Sequence, residues 1–255
     1  MDNELNPTFS VITVTYNAES TLEATIKSVV SQTYKNIEYI IVDGNSKDNT
    51  LNIVEKYKTH IKSLISEPDR GLYDAMNKGI ELATGDYICF LNAGDTFHGE
   101  NTLQLIIDSV FKEMNSGILL EYPDILYGET IIVDSEHNFL RKRRLAAPEV
   151  LTWKSFKNGM LVCHQALFVK AALVESYNLD YRFSSDFDWS IRMLKKARSI
   201  YNTKLTIIDY LEEGLTTRNQ KASLKERFSI MVKYYGRCST ILYHIWFVIR
   251  MIIKR

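Results

Sequence analysis

The chain has 255 residues, of which 45% are hydrophobic and 24% are charged. These values suit one large or two small folded domains and exclude a disordered or collagen-like chain. The 31 basic and 31 acidic residues cancel, so the overall charge gives no reason to expect nucleic acid as a partner. Three cysteines without a C-x-x-C spacing exclude a disulfide scaffold and a zinc ribbon.

Apolar runs of strand length alternate with amphipathic stretches over the first hundred residues, which predicts a parallel sheet covered by helices. The expected strands in this part cover residues 9–15, 37–42, 61–66 and 86–91. The helices expected between them run from Ser20 or Thr21 to residue 31, over residues 48–58, and from residue 72 to Gly85. In the third helix the apolar residues predicted to face inward are Leu72, Met76, Ile80 and Leu82.

The pattern is looser after Gly99. It predicts a helix over 102–114, strands over 124–127 and 130–133 on either side of Gly128, and a further strand over 166–169. A short helix is expected over 187–197, entered through Ser184 and Ser185. With no internal repeat and no low-complexity linker, residues 1–215 are expected to form one domain.

The last part of the chain is strongly basic. Residues 221–255 hold eight basic side chains and one acid, a net charge of +7. The apolar stretch 241–253 has 13 residues, fewer than the about 20 needed to span a bilayer. It is therefore expected either to lie in a membrane interface beside its cations or to pack as a helix on its own domain or a second subunit. The basic run RKRR at 141–144 is interpreted as a second membrane contact or as a solvated loop.

Polar side chains follow each of the four predicted parallel strands. The segments concerned are residues 15–17 (TYN), 43–46 (DGNS), 69–70 (DR) and 92–95 (NAGD). Taken singly, each suits an ordinary turn or helix cap. The carboxyl ends of parallel strands meet at one edge, however, and carboxylates gathered there repel one another unless a cation or a donor-rich ligand lies between them. The combination indicates a binding site, and a divalent ion that bridges a diphosphate suits it.

These motifs carry a family resemblance. Residues 9–97, from FSVITVTYN through IIVDGNS and EPDRGLYDAMNKG to FLNAGD, resemble the nucleotide-sugar-binding half of the family-2 inverting glycosyltransferases of the GT-A fold. Residues 163–166 (CHQA) and 183–189 (FSSDFDW) resemble that family's acceptor half more weakly. The nearest resemblance is to bacterial enzymes that build surface polysaccharide.

The resemblance implies a GT-A-type, Rossmann-like α/β fold, in which a mostly parallel sheet is flanked by helices and followed by C-terminal helices. It divides residues 1–215 into a donor half (9–97) and an acceptor half (98–215), with a basic and apolar helical tail over 216–255. The implied donor is a nucleotide sugar, with a UDP-sugar preferred. The implied acceptor is a hydroxyl of a saccharide or a lipid-linked molecule, at the inner face of the cytoplasmic membrane.

The resemblance also assigns residues to the donor. Asp95 corresponds to the last acid of the Asp-x-Asp element that holds manganese or magnesium. Asn92, Ala93, Gly94 and Asp95 stand where relatives have Asp-Ala-Asp-Asp, so one carboxylate and one amide remain and a metal-free mechanism stays open. The residues implied to contact the nucleotide, ribose or diphosphate are Thr15, Tyr16, Asn17, Asp43, Asp69, Arg70 and Asn92.

On the acceptor side, Asp186 aligns with the family's general base, which takes the proton of the attacking hydroxyl. Its alternative role is to cap the helix that follows. The remaining acceptor-side candidates are His164, Gln165, Asp188 and Trp189. The reduced metal element also suits a module that binds nucleotide sugar or a membrane partner without turnover, with residues 238–255 as the membrane contact.

The first residues, MDNELNPTF, lack the basic segment and apolar stretch of a signal peptide. They predict a cytoplasmic protein with reduced thiols.

Overall fold

The computed structural model describes residues 6–212 and 220–253. The strands in this part of the chain are β1 (Phe9–Thr15), β2 (Ile37–Asp43), β3 (Ser63–Ser66), β4 (Tyr87–Phe90), β5 (Thr96–Phe97), β6 (Ile125–Val133), β7 (Phe139–Lys142), β8 (Leu167–Lys170) and β9 (Ile200–Leu211). The α-helices are α1 (Leu22–Val30), α2 (Thr50–Lys56), α3 (Leu72–Leu82), α4 (Thr102–Asn115), α5 (Ser185–Lys196), α6 (Gln220–Tyr235) and α7 (Arg237–Ile253).

The strands form one mixed sheet in the order β3-β2-β1-β4-β8-β6-β9-β5, and β7 pairs with β6. The strands β3, β2, β1 and β4 are parallel, as predicted. The central strands β1 and β2 are rich in apolar, β-branched side chains, as expected for strands covered on both faces, and Ile12, Ile40 and Ile41 are completely buried. The predicted α/β fold is confirmed, with the carboxyl ends of these four strands at one edge.

The second half of the sheet differs from the prediction. The two strands expected around Gly128 are one strand, β6, which pairs with β8 in antiparallel and with β9 in parallel orientation. The sequence analysis did not predict β9, because Lys204 interrupts its apolar pattern. Lys204 has a φ of 59° and lies where the register between β6 and β9 shifts, so the residues around it bulge out of the strand.

Helix α3 packs closely on the sheet through the predicted inward face. Met76 is completely buried, and Leu72, Ile80 and Leu82 pack against the core although they are only partly buried. The sequence analysis missed further buried positions of this helix, including Tyr73 and Gly79. A Cβ atom at position 79 would lie 2.4 Å from Cγ2 of Ile12, so glycine allows the helix to approach β1 closely at this turn.

A buried carboxylate joins strands and helix at the opposite edge of the sheet from the strand ends. Glu38 accepts hydrogen bonds from the hydroxyls of Ser10 (2.5 Å) and Thr84 (2.6 Å) and from the amides of Thr84 (2.7 Å) and Gly85 (3.2 Å). Burial raises the pKa of Glu38, but these four hydrogen bonds hold it below its usual value.

The C-terminal helices pack on the domain and on each other. In α7 the side that faces inward includes Thr240, which is fully buried, and His244, whose ring contacts that of Phe228 at 5.0 Å. The other side is apolar and between 41% and 67% exposed at Ile241, Leu242, Ile245, Trp246 and Ile249. We call these five residues the α7 stripe. None of the helices within the described residues is long and apolar enough to cross a membrane. The expected domain boundary at 215/216 lies outside the described residues.

The basic run at 141–144 is partly structured. Its first two residues belong to the exposed strand β7, where Arg141 pairs with Glu212 at 2.8 Å. The Arg143 guanidinium donates to the carbonyls of Met160 (3.0 Å) and Leu161 (3.1 Å). Two of the four cations therefore have partners within the fold, although the Arg141 side chain is still 54% exposed.

Candidate active site

Asp43 ends β2 and is completely buried. Its carboxylate accepts hydrogen bonds from the Ser46 amide (3.0 Å), the Ser46 hydroxyl and the Ser66 hydroxyl (2.6 Å). The Ser46 oxygen accepts in turn from the Asn17 amide at 2.8 Å. The loops after β1 and β2 are thus joined through one carboxylate, as the sequence predicts for residues at a shared edge.

An open platform lies beside Asp43. The Tyr16 side chain is 63% exposed, and Asn17 adopts a left-handed φ of 46°. A Cβ atom at Gly44 would meet Oδ2 of Asp69 at 2.5 Å and the Tyr16 ring at 3.3 Å. Glycine at position 44 therefore leaves room for the Asp69 carboxylate and the Tyr16 ring to lie close to the loop after β2. The platform presents a flat ring and carboxylate groups, which suit a nucleoside.

Arg70 lies at the rim of the same edge. Its guanidinium donates to Oδ1 of Asp74 at 2.9 Å, yet its side chain is 78% exposed. The Arg70 hydrogen bond lowers the pKa of Asp74 and outweighs the opposing effect of burial. A guanidinium held at one side and open at the other can also bind phosphate. Thr15 lies at the end of β1, and its buried hydroxyl has no hydrogen-bond partner among the described residues.

Asp95 follows β4 and is 5% exposed. It accepts hydrogen bonds from Nε2 of Gln165 (2.9 Å) and from the Leu211 amide (3.1 Å). Burial raises the pKa of Asp95 to about 7, although these two donors oppose the shift. In the same turn, the buried Oδ1 of Asn92 has no hydrogen-bond partner among the described residues. Two oxygen ligands of the kind that hard cations prefer therefore come from this turn.

The donor set fits a weakly held divalent cation. The described residues contain no group of three histidines, cysteines or acids that could hold a metal ion by themselves. Magnesium is usually held by one or two carboxylates together with substrate phosphates and water. Asp95, with Asn92 beside it, could supply the protein's part of such a shell.

Asp186 is the second residue of α5, and its side chain is 14% exposed. Its Oδ1 accepts hydrogen bonds from the Tyr73 hydroxyl (3.0 Å) and from the Phe187 amide (2.9 Å), while Oδ2 lies 3.7 Å from Nδ1 of His164. Burial raises the pKa of Asp186, but the His164 imidazole, the Arg227 guanidinium and the Tyr73 hydroxyl lower it by more. The carboxylate is therefore ionised at neutral pH.

His164 and Gln165 connect the two acids. His164 lies beside Asp186, and the next residue, Gln165, holds Asp95. His164 is 6% exposed, and its Nε2 has no partner among the described residues. His164 and Gln165 are consecutive in the chain, and each lies against one of the two acids. Asp95 and Asp186 therefore lie in one site at the carboxyl edge of the sheet.

The other two acceptor-side candidates lie elsewhere. Asp188 is completely buried and accepts from Arg192, Lys233 and Tyr234, so its carboxylate joins α5 to α6. Trp189 is also completely buried, and its indole donates to the Glu175 carbonyl at 2.7 Å. The structure brings neither residue to Asp186.

The sequence analysis missed Tyr73, which contacts the base candidate and belongs to an aromatic stack. The Tyr73 ring stacks on Tyr177 (5.3 Å), which stacks on Trp189 (5.1 Å). The sequence gives one signal for Tyr73, its position three residues after Arg70 at the start of a helix. The contact with Asp186 spans 113 residues of chain, so no local pattern could reveal it.

Comparison with known proteins decides the family. Residues 10–176 match the family model described as glycosyl transferase family 2. The chain belongs to this family of glycosyltransferases. It is 33% identical over 192 residues to a PGL/p-HBAD biosynthesis glycosyltransferase of Mycobacterium bovis, covering 73% of this chain and 69% of that protein. It is 27% identical over 226 residues to the Escherichia coli UDP-Glc:alpha-D-GlcNAc-diphosphoundecaprenol beta-1,3-glucosyltransferase WfgD, covering 87% of this chain and 84% of that protein.

Solved structures agree on the fold. The glycosyltransferase is similar to Staphylococcus aureus TarS residues 1–349 with a TM-score of 0.70 at 17% identity, covering 94% of this chain and 72% of that one. TarS has also been solved with UDP-GlcNAc, at a TM-score of 0.68 and 18% identity over 91% of this chain and 69% of that one. The mannosyltransferase PcManGT of Pyrobaculum calidifontis, solved with GDP-Man and Mn²⁺, has a TM-score of 0.59 at 17% identity, covering 89% of this chain and 64% of that one. The predicted GT-A-type fold is thereby confirmed.

Proposed function

We propose that this glycosyltransferase moves a sugar from a nucleoside diphosphate, with inversion, to a hydroxyl of a saccharide or lipid-linked acceptor in bacterial polysaccharide biosynthesis. Asp186 acts as the general base. A UDP-sugar is the donor, in keeping with WfgD, whose name specifies UDP-Glc, and with TarS, which has been solved with UDP-GlcNAc.

The donor binds along the ends of β1 to β4. Tyr16 offers its exposed ring to the base, and Asp69 lies beside it to accept hydrogen bonds from base or ribose, while the buried Asp43 holds the loops behind them in place. Thr15 and Asn17 shape the same loop. The exposed Arg70 guanidinium then lies within the reach of a flexible side chain from the diphosphate.

Transfer requires one proton acceptor on the side opposite the leaving group. The acceptor oxygen forms a bond to the anomeric carbon while the bond from that carbon to the diphosphate oxygen breaks and its electron pair leaves with the diphosphate. The hydroxyl proton passes to the Asp186 carboxylate, which is ionised because its surroundings lower its pKa. The single observation that carries this proposal is the position of this ionised carboxylate next to His164, one residue from the Gln165 that holds Asp95.

Manganese or magnesium, held by Asp95 with Asn92 beside it, would stabilise the charge that develops on the leaving diphosphate. Asp95 is presented by the turn after β4 and held there by Gln165 and the Leu211 amide. The protein's contribution is one oriented carboxylate, and the phosphates complete the shell.

We also propose that the enzyme works at the inner face of the cytoplasmic membrane, where the α7 stripe lies in the interface. The stripe exposes five large apolar side chains on one side of a helix, and exposed cations, Lys221, Lys225 and Arg237, lie on α6 and at the start of α7. Apolar burial and cationic attraction to anionic lipid favour such binding together. The acceptor named for WfgD is a diphosphoundecaprenol lipid, which is presented at such a surface.

The base is tested by Asp186→Asn. With labelled UDP-sugars, manganese and a lipid-linked acceptor, turnover should fall by about 10²- to 10⁴-fold while UDP binding, measured by calorimetry, is retained. The matched control is Asp180→Asn, which alters an exposed acid six residues earlier. Near-normal turnover in the Asp186 variant would exclude this residue as the base.

The membrane contact is tested by flotation with vesicles of anionic phospholipid. The double variant Leu242→Ser, Trp246→Ser should lose most of its binding, because both apolar side chains are about half exposed or more. Leu120→Ser is the control, since Leu120 is 93% exposed but lies in the loop before β6. Equal flotation of the double variant and the control would refute the stripe as the contact.

A further inference from the structure

The two carboxylate oxygens of Asp186 have different surroundings. Oδ1 of Asp186 accepts both the Tyr73 hydroxyl at 3.0 Å and the Phe187 amide at 2.9 Å. The position of Oδ2 is different, because it lies 3.7 Å from Nδ1 of His164, beyond hydrogen-bonding distance. Oδ1 is thus occupied by two donors, and Oδ2 keeps its lone pairs available.

The Tyr73 hydroxyl comes from the other half of the molecule. Tyr73 is the second residue of α3 and follows the Arg70 loop, whereas Asp186 lies on α5. The ring is buried and stacked on Tyr177, so the hydroxyl has little freedom to leave Oδ1. One rigid side chain of the donor half therefore fixes the carboxylate of the acceptor half.

We propose that Tyr73 is a positioning residue for transfer: it holds Oδ1 of Asp186, orients the carboxylate, and so makes Oδ2 the oxygen that takes the acceptor's proton. This inference rests on the proposed role of Asp186 as the base. In the transfer step the O–H bond breaks, its proton goes to Oδ2, and the oxygen's electron pair forms the bond to the anomeric carbon. Tyr73 keeps its own proton throughout.

The hydrogen bond also affects the proton affinity of the base. A hydroxyl that donates to a carboxylate stabilises the ionised form, so its removal raises the pKa of Asp186. The groups that interact with this carboxylate come from five surrounding segments and from α5 itself. They are the Tyr73 hydroxyl on α3, the His164 imidazole in the turn before β8, the Tyr177 hydroxyl before α5, the Tyr210 hydroxyl on β9, the Arg227 guanidinium on α6 and the Phe187 amide.

The chain provides a matched control. The Tyr177 hydroxyl is buried in the same stack, and among the described residues it has no hydrogen-bond partner. Tyr177→Phe and Tyr73→Phe therefore remove the same atom from adjacent stacked rings. They differ in whether that atom bonds to Asp186.

The experiment compares both variants in the transfer assay. Tyr73→Phe should lower kcat by about 10- to 100-fold, as expected when a reacting group is misplaced by a fraction of an ångström to an ångström. The KM for the donor should stay within about twofold, because the substitution alters orientation and not donor contacts. The acid limb of the kcat/KM profile should move to higher pH. Tyr177→Phe removes no hydrogen bond to Asp186, so it should lower kcat and move the acid limb much less than Tyr73→Phe does.

A double variant separates positioning from a merely structural effect. If Tyr73 acts through Asp186, adding Tyr73→Phe to Asp186→Asn should not lower the residual turnover further. A further decrease of tenfold or more, or a Tyr73→Phe enzyme that behaves like Tyr177→Phe, would overturn the inference. UDP binding and the thermal midpoint of each variant, both expected near those of the wild type, report on folding.

The outcomes also distinguish this inference from the proposed function. Near-normal turnover of Asp186→Asn would remove the base assignment itself. An inactive Asp186→Asn together with a fully active Tyr73→Phe would leave the base in place and refute its positioning by Tyr73.

Discussion

Replacing Asp188 with asparagine tests whether this acid supports the fold or the acceptor. Its carboxylate is completely buried and accepts from Nε of Arg192 (2.8 Å), Nζ of Lys233 (3.1 Å) and the Tyr234 hydroxyl (2.8 Å). Removing one partner of a buried ion pair costs about 3–5 kcal/mol. The Lys233 side chain is 48% exposed and regains water, and Arg192 keeps Glu175 at 2.6 Å. We therefore expect a loss at the lower end, about 3 kcal/mol.

The assay is equilibrium unfolding in urea, followed by circular dichroism. With an m value of about 3 kcal/mol/M for a chain of this size, the midpoint should fall by about 1 M without a change in slope. Glu175→Gln is the control, because the Glu175 side chain is 40% exposed and its ion pairs should contribute less than about 1 kcal/mol. An Asp188→Asn enzyme with an unchanged midpoint but transfer slowed a hundredfold would refute this reasoning and return Asp188 to the acceptor site.

Two further predictions concern buried groups that have no part in the proposed transfer step. Glu38→Gln should destabilise the protein by about 2 kcal/mol at pH 7, because its hydrogen bonds are made to a charged carboxylate. Since the folded pKa of Glu38 is lowered, this stability is present above the unfolded pKa of about 4.3 and is lost as pH falls through the folded value. Urea midpoints of wild type and variant should therefore converge in acid, and a constant difference would contradict the assignment. The native enzyme should react with one equivalent of a disulfide thiol reagent, at exposed Cys238, and with three in urea, because Cys89 and Cys163 are buried and burial raises their thiol pKa. A native count of two or three would show that one of these thiols is accessible.

The sequence predicted the donor half of the fold well because each parallel strand there is a continuous apolar run with a helix after it. β1 was predicted to its exact bounds, Phe9–Thr15. It predicted β9 not at all, because that strand is half-buried and contains the bulge at Lys204. β9 forms because it pairs with β6, and a pairing between distant segments cannot be recognised from a local sequence pattern.

In the candidate site, too, local motifs could be predicted from the sequence and long-range contacts could not. Motif spacing was enough to place Asp43, Asp95 and Asp186 at one edge, since strand ends and helix starts gather there. The family resemblance singled out Asp186 as the base but kept Asp188 as an acceptor-side candidate, which the structure places against α6 instead. Side chains two positions apart on a helix point about 200° away from each other. The Asp186 carboxylate therefore faces the site, and the Asp188 carboxylate faces α6. The carboxylate that faces the site is determined by how α5 packs on the rest of the domain. The contact between Tyr73 and Asp186 also depends on this packing, so the sequence does not reveal it.

The close approach of α3 to β1 has a consequence at a distance. Gly79 lies six residues after Tyr73, or about 9 Å along the helix, and its missing side chain lets the helix axis sit low on the strand. Alanine at this position would collide with Ile12, and we expect α3 to move away from β1 to relieve the clash. The Tyr73 hydroxyl, near the start of the helix, would then move away from Asp186. Glycine at position 79 is therefore expected to matter for the hydrogen bond between Tyr73 and Asp186 as well as for the packing of α3 on β1.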